Sequence, residues 1–173
     1  MNHITFFTAT ILCWKHLLSD NKYKDIITDS MKFLVEDERV RIFAFVIMPN
    51  HMHLVWRVRN GKIYEDVQRD FLKYTAQQIK LDLESNHPDN LREFYVGAKD
   101  RKYQFWERNP LSVELYSQKV IEQKINYIHF NPISEKWKLC KYITDYKYSS
   151  ASFYWMESEE WDFLTHYAAA VDD

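Results

Sequence analysis

The sequence predicts an α+β domain in which helices pack on an antiparallel sheet. Three observations lead there. Strand-like and helix-like stretches alternate along the chain. Two of the strands are joined by the tight turn Pro49-Asn50, so they run antiparallel. A length of 173 residues, with 46% hydrophobic and 28% charged content, suits one domain with a full core.

The elements follow in order. Residues 4–13 (ITFFTATILC) are β-branched and aromatic and read as a buried strand. Residues 20–36 carry Tyr23, Ile26, Ile27, Met31, Phe33 and Leu34 at helical spacing, with Ser19 or Asp20 as N-cap. Residues 40–48 form a second strand and 51–58 return as a third. Tyr64, Val67, Phe71 and Tyr74 mark a long second helix that ends near Asn86-His87-Pro88. Residues 86–102 are polar and irregular, which predicts an insertion loop carrying Lys99, Arg101 and Lys102. Short strands are expected at 103–106 and 113–116, around Asn109-Pro110. A last helix begins at Ser117 and stops at Asn131-Pro132, because proline disfavours helical backbone in the residue before it.

Composition excludes several classes. The longest apolar run, Phe43 to Met48, is far short of the ~20 residues a membrane helix needs. Cys13 and Cys140 are too few for a disulfide framework or a zinc knuckle. No basic-then-apolar leader precedes Ile4. The expectation is a soluble, reduced, cytoplasmic protein with no membrane partner. The net charge of −2 is unevenly spread. Glu157, Glu159, Glu160, Asp162, Asp172 and Asp173 stand in a stretch without Lys or Arg, which divides the chain into a domain (1–155) and an acidic C-terminal tail (156–173). The domain then holds 23 basic against 19 acidic residues, a mildly basic body compatible with nucleic acid. The 12 Tyr, 11 Phe and 6 Trp supply either extra core or rings that stack on unpaired bases.

Two constellations can carry chemistry. In His51-Met52-His53 the two imidazoles share one face of the third strand, while Met52, Leu54 and Trp56 point into the core. Imidazoles about 7 Å apart along a strand can grip one divalent cation, or be two ordinary hydrogen-bonded histidines. On the last helix, Ile121, Ile125 and Ile128 form the buried stripe. Tyr127 and Asn131 share a strip about 100° round from it, next to Lys124. An accessible phenol there is a candidate nucleophile, and the Asn131 amide oxygen a candidate donor to the same cation, although on spacing alone an ordinary half-buried helix Tyr is the favoured reading.

The stretch Val46-Ile47-Met48-Pro49-Asn50-His51-Met52-His53-Leu54-Val55-Trp56 resembles the signature of the single-tyrosine transposases with a His-hydrophobic-His motif, which include insertion-sequence transposases and the REP-associated tyrosine transposases. Phe105-Trp106-Glu107-Arg108 resembles the family's Trp-Gln-Arg segment, and Tyr127-Ile128-His129-Phe130-Asn131-Pro132 its Tyr-Ile-x-x-Asn-Pro block. Tyr148-Ser149-Ser150-Ala151 is similar to its Ser-Ser ending, and the match in order and spacing runs over roughly residues 4–154. The sequence departs from the family at Glu107, where Gln is common, at Ser112-Val113, where an acidic residue and His are common, and in residues 86–102.

The resemblance implies a ferredoxin-like fold and nicking and rejoining of single-stranded DNA, with hairpin or palindromic structure, through a 5′-phosphotyrosine. It implies Tyr127 as nucleophile and His51, His53 and Asn131 as ligands of Mg²⁺ or Mn²⁺, in a monomer or a homodimer. A domesticated hairpin-binding regulator and a metal-dependent hydrolase with a structural Tyr127 are the alternatives. Lys124, one turn before Tyr127, can hold a phosphate or simply be solvated. Arg69, Lys73, Gln77 and Lys80 line one face of the second helix, and Lys136, Lys138, Lys141 and Lys147 crowd the segment after the last one. With Arg101 and Lys102 these are either DNA contacts or solvated surface.

Overall fold

Strand β1 (Ile4–Thr10) buries Phe7 and Ala9 on one face and Phe6 on the other in the computed structural model, which describes residues 3–170. The expected strand over 4–13 stops early because Leu12–Trp14 bend into a 3-10 turn, with Cys13 and Trp14 in the left-handed region at φ 55° and 56°. Helix α1 (Asn21–Glu36) is capped by Asp20, whose carboxylate accepts the Lys22 backbone N–H at 3.1 Å. Strands β2 (Val40–Ile47) and β3 (His51–Val58) form the hairpin, closed where the Met48 N–H donates to the His51 carbonyl at 2.8 Å. Helix α2 (Tyr64–Asn86) follows.

Residues 86–102 are not a loop. They hold helix α3 (Pro88–Arg92) and a small hairpin, β4 (Tyr95–Ala98) with β5 (Arg101–Tyr103). Two apolar anchors explain the difference: Leu91 and Phe94 are buried, and Phe94 packs on Phe105 with ring centroids 5.0 Å apart. The strand expected at 103–106 ends at Tyr103, because Phe105 and Trp106 turn into the core. Strand β6 (Leu111–Leu115), helix α4 (Gln118–Phe130) and the short α5 (Ala151–Met156) complete the chain.

The main sheet has the order β2-β3-β1-β6, with every pairing antiparallel. The path β1-α1-β2-β3-α2-β6 is therefore ferredoxin-like. Residues of α1 and α2 pack with Phe7, Met52, Leu54 and Trp56. Ile121, Ile125 and Ile128 of α4 pack with Phe6, Val46 and Val55 from the alternate positions. A bulge between Ile42 and Ala44 lets β2 serve both layers, because it shifts Phe45 and Ile47 onto the face used by Val40 and Ile42.

The acidic tail is a correction too. Residues 161–167 are folded onto the β2 edge: Leu164 bridges Ile42, and the Thr165 N–H donates to the Ile42 carbonyl at 2.9 Å. Trp161 and Phe163 pack on Phe45 at 5.4 and 5.8 Å. Acidic residues set the charge of this tail, while three apolar side chains fix its place and cover an open sheet edge. Asp162 pairs with Lys32 at 2.7 Å, and Asp172 and Asp173 lie outside the described residues. Among the described residues no helix is long and apolar enough to cross a membrane.

Candidate metal and nucleophile site

The pleat of β3 sends Met52, Leu54 and Trp56 toward α1 and α2 and turns His51 and His53 the other way. Both imidazoles are buried, and their centroids are 4.8 Å apart, closer than strand spacing suggests. Each ring is held at Nδ1. His51 Nδ1 lies 2.7 Å from Asn50 Oδ1, while Asn50 Nδ2 donates to the Trp14 carbonyl at 3.1 Å and so sets which way the amide points. An amide oxygen only accepts, so the proton of His51 sits on Nδ1 and its Nε2 is bare. His53 Nδ1 lies 2.7 Å from the hydroxyl of Thr8, its directly paired neighbour on β1. Its Nε2 is buried and has no hydrogen-bond partner.

Burial pushes His51 down to about 4, with Lys136 adding to it. Burial, then the neighbouring His51 and Lys124, pushes His53 down to about 3. Both rings are thus neutral near pH 7, the form that binds a metal. Among the described residues no three His, Cys, Asp or Glu side chains gather as a metal set. A cation held here would use the two imidazoles and the amide oxygen of Asn131. The residues fit such a group, since an unpaired buried nitrogen needs a partner and an N/O donor set suits a divalent ion.

Helix α4 brings the other two residues. Ser117 caps it, accepting the Val120 N–H at 3.3 Å. His129 locks its far end to the sheet: Nε2 lies 2.9 Å from Ser150 Oγ, which also accepts the Phe45 N–H at 3.1 Å. Tyr127 therefore stands beside His53 with ring centroids 5.3 Å apart and is still 52% exposed. The Lys124 ammonium is 5.9 Å from the Tyr127 ring and 4.7 Å from that of Phe6. Asn131 ends the helix, buried, its backbone oxygen accepting from Ser134. His51, His53, Tyr127 and Asn131 of one chain line a single pocket of about 430 Å³, together with Lys136.

The same architecture occurs in solved structures. A REP-associated tyrosine transposase bound to a REP hairpin superposes with a TM-score of 0.64, covering 87% of this chain and 78% of that one at 20% identity. The chain has that transposase's fold. A candidate transposase from Deinococcus radiodurans R1 is also similar, with a TM-score of 0.52, 74% of this chain and 89% of that one covered, and 15% identity. No family model and no curated protein matches the sequence.

On this transposase-like fold the basic candidates separate. Lys73, Lys80, Arg101 and Lys102 meet in a second groove of about 560 Å³ between α2 and the β4–β5 hairpin, where Arg108 joins them. Lys80 and Lys102 lie 5.8 and 5.4 Å from the Tyr103 ring centroid. Arg69 is apart from this groove, tied to Asp66 and Asp70 at 2.7 and 3.1 Å. Lys138 pairs with Glu135 at 2.8 Å. Sequence spacing does not mark the residues that orient the histidines, Asn50 and Thr8. Asn50 adjoins the motif, but Thr8 is revealed only by strand register.

Proposed function

We propose that this protein cuts and rejoins single-stranded DNA by way of a tyrosine-linked intermediate. The observation that carries the reading is the exposed phenol of Tyr127 beside His53, whose buried Nε2 has no partner. A divalent cation, Mg²⁺ or Mn²⁺, held by His51, His53 and Asn131 would neutralise charge on the scissile phosphate. Tyr127 gives up its phenolic proton, and its oxygen attacks phosphorus in line. The bond from phosphorus to the 3′-oxygen breaks, that oxygen takes a proton and leaves as a 3′-hydroxyl, and the DNA remains as a 5′-phosphotyrosine. In the reverse sense another 3′-hydroxyl attacks, loses its proton and releases Tyr127. Lys124, whose ammonium lies 5.9 Å from the Tyr127 ring centroid, would hold a non-bridging phosphate oxygen.

A hairpin beside the cut strand is the proposed DNA form. The hairpin in the similar transposase's structure and the cations of the α2 groove support it. Transposition and recombination are the processes such chemistry serves. The test is incubation with a library of single-stranded hairpins and Mn²⁺, followed by recovery of covalently attached strands. The wild type should form the adduct, and Tyr127→Phe should lose both adduct and nicking while still binding DNA. Cutting without any adduct would instead indicate water as nucleophile. Binding with neither cutting nor adduct in the wild type would indicate a hairpin-binding regulator.

A further inference from the structure

The rim of the pocket carries a feature that the cutting chemistry does not use. Trp14 is 57% exposed, although it follows a buried strand and borders the buried polar cluster of Asn50, His51, His53 and Asn131. Its ring lies 6.3 Å from that of His51. The backbone that presents it is unfavourable, since both Cys13 and Trp14 adopt left-handed φ, which a Cβ disfavours. That conformation is pinned at several points. The Cys13 N–H donates to Glu107 at 2.6 Å, the Trp14 N–H donates to the Ile11 carbonyl at 2.9 Å, and Asn50 holds the Trp14 carbonyl at 3.1 Å.

Cation and rings then converge on one spot. The Lys136 ammonium sits 5.5 Å from the Trp14 ring and 5.6 Å from that of Trp137, and Trp137 in turn lies 5.8 Å from His51. Phe130, 51% exposed, lines the same pocket. A fixed, solvent-facing indole beside a lysine is the pairing that binds an unpaired nucleotide: the ring stacks on the base and the ammonium takes the phosphate. A purely structural tryptophan would gain nothing from being held in water.

We propose that Trp14 is a stacking platform for an unpaired nucleobase next to the phosphate at His51 and His53, with Lys136 as its phosphate contact. This deepens the proposed function and rests on it. Asn50 connects the two parts, since one amide group holds both the platform's carbonyl and the ring of His51. Stacking tolerates any base, so the platform binds strand form rather than sequence.

The test compares two probes on the full chain: a single-stranded oligothymidylate of about 12 nucleotides, and an abasic strand of the same length that keeps every phosphate. The wild type should bind oligothymidylate about tenfold more tightly than the abasic strand. Trp14→Ala should lose most of that preference with its affinity for the abasic strand unchanged, and Trp14→Phe should restore it in part. Thermal melting of Trp14→Ala should match the wild type, because the ring is mostly in water. Equal binding of the two probes by the wild type, or an unchanged preference in Trp14→Ala, would overturn the proposal. Failure of the covalent-adduct test with a preserved Trp14-dependent preference would sink the cutting chemistry alone. A normal adduct with no such preference would sink the platform alone.

Discussion

The two faces of the sheet use the same strands for opposite purposes. On the face toward α1 and α2, Phe7, Met52, Leu54 and Trp56 are fully buried, and the one polar atom of Trp56 donates to Tyr64 at 3.2 Å. On the face toward α4, Phe6 and Val55 are equally buried, but the strands turn polar at one end with Thr8, Thr10, His51 and His53. Burial does not separate the two faces, since His53 is only 5% exposed. Satisfaction does: among the described residues the buried side-chain polar atoms without a partner are His53 Nε2 and the α4 residue His129 Nδ1, and neither belongs to the packing face. An unpaired buried nitrogen costs stability, on the order of 1–3 kcal/mol. The face that tolerates it carries the pocket that His51 and His53 line.

The largest effect should come from testing that contrast with paired truncations. Trp56→Ala removes a fully buried ring and should cost about 3–5 kcal/mol in urea unfolding. His53→Ala removes an equally deep ring together with its orphan nitrogen, so its cost should be smaller, about 1–2 kcal/mol. In calorimetry with Mn²⁺, only the His53 variant should lose cation binding. Equal stability losses with retained cation binding would erase the distinction between the faces.

A second test uses pH. Burial holds His51 and His129 at about 4 and His53 at about 3, while an unfolded histidine titrates near 6.5. The folded values are depressed, so the unfolded chain takes up more protons below pH 6.5. The stability these rings contribute is complete above that pH and is lost as pH falls through about 4. Unfolding midpoints in urea should therefore drop steadily between pH 6.5 and 4, and a flat profile would show the rings charged in the folded state.

The smallest effect concerns the groove beyond α2, on the packing side. Lys73→Gln should weaken single-strand binding and make the salt dependence shallower by about 0.7 in slope per lost phosphate contact. Arg69→Gln should change little, because its guanidinium is already tied to Asp66 and Asp70. A larger effect from Arg69 than from Lys73 would move the nucleic-acid path off the groove.

Much of this molecule was determined by sequence alone, because local rules are strong where the pattern is regular. Alternation placed β3 and its two histidines on one face, helical spacing placed Tyr127 and Asn131 on one strip of α4, and Ser117 and Asn131-Pro132 marked where that helix starts and stops. Local rules failed where a few long-range contacts outweigh composition. Leu91 and Phe94 order a stretch that reads as a polar loop, and Trp161, Phe163 and Leu164 dock one that reads as an acidic tail. The bulge at Phe43 has no signal in an unbroken apolar run, because both faces of β2 are covered. Only tertiary structure could decide that Tyr127 meets His53, that Thr8 and Asn50 hold the imidazoles, and that Trp14 stands at the rim. Those contacts join residues far apart in the chain, and spacing along a sequence carries no information about which of its faces will meet.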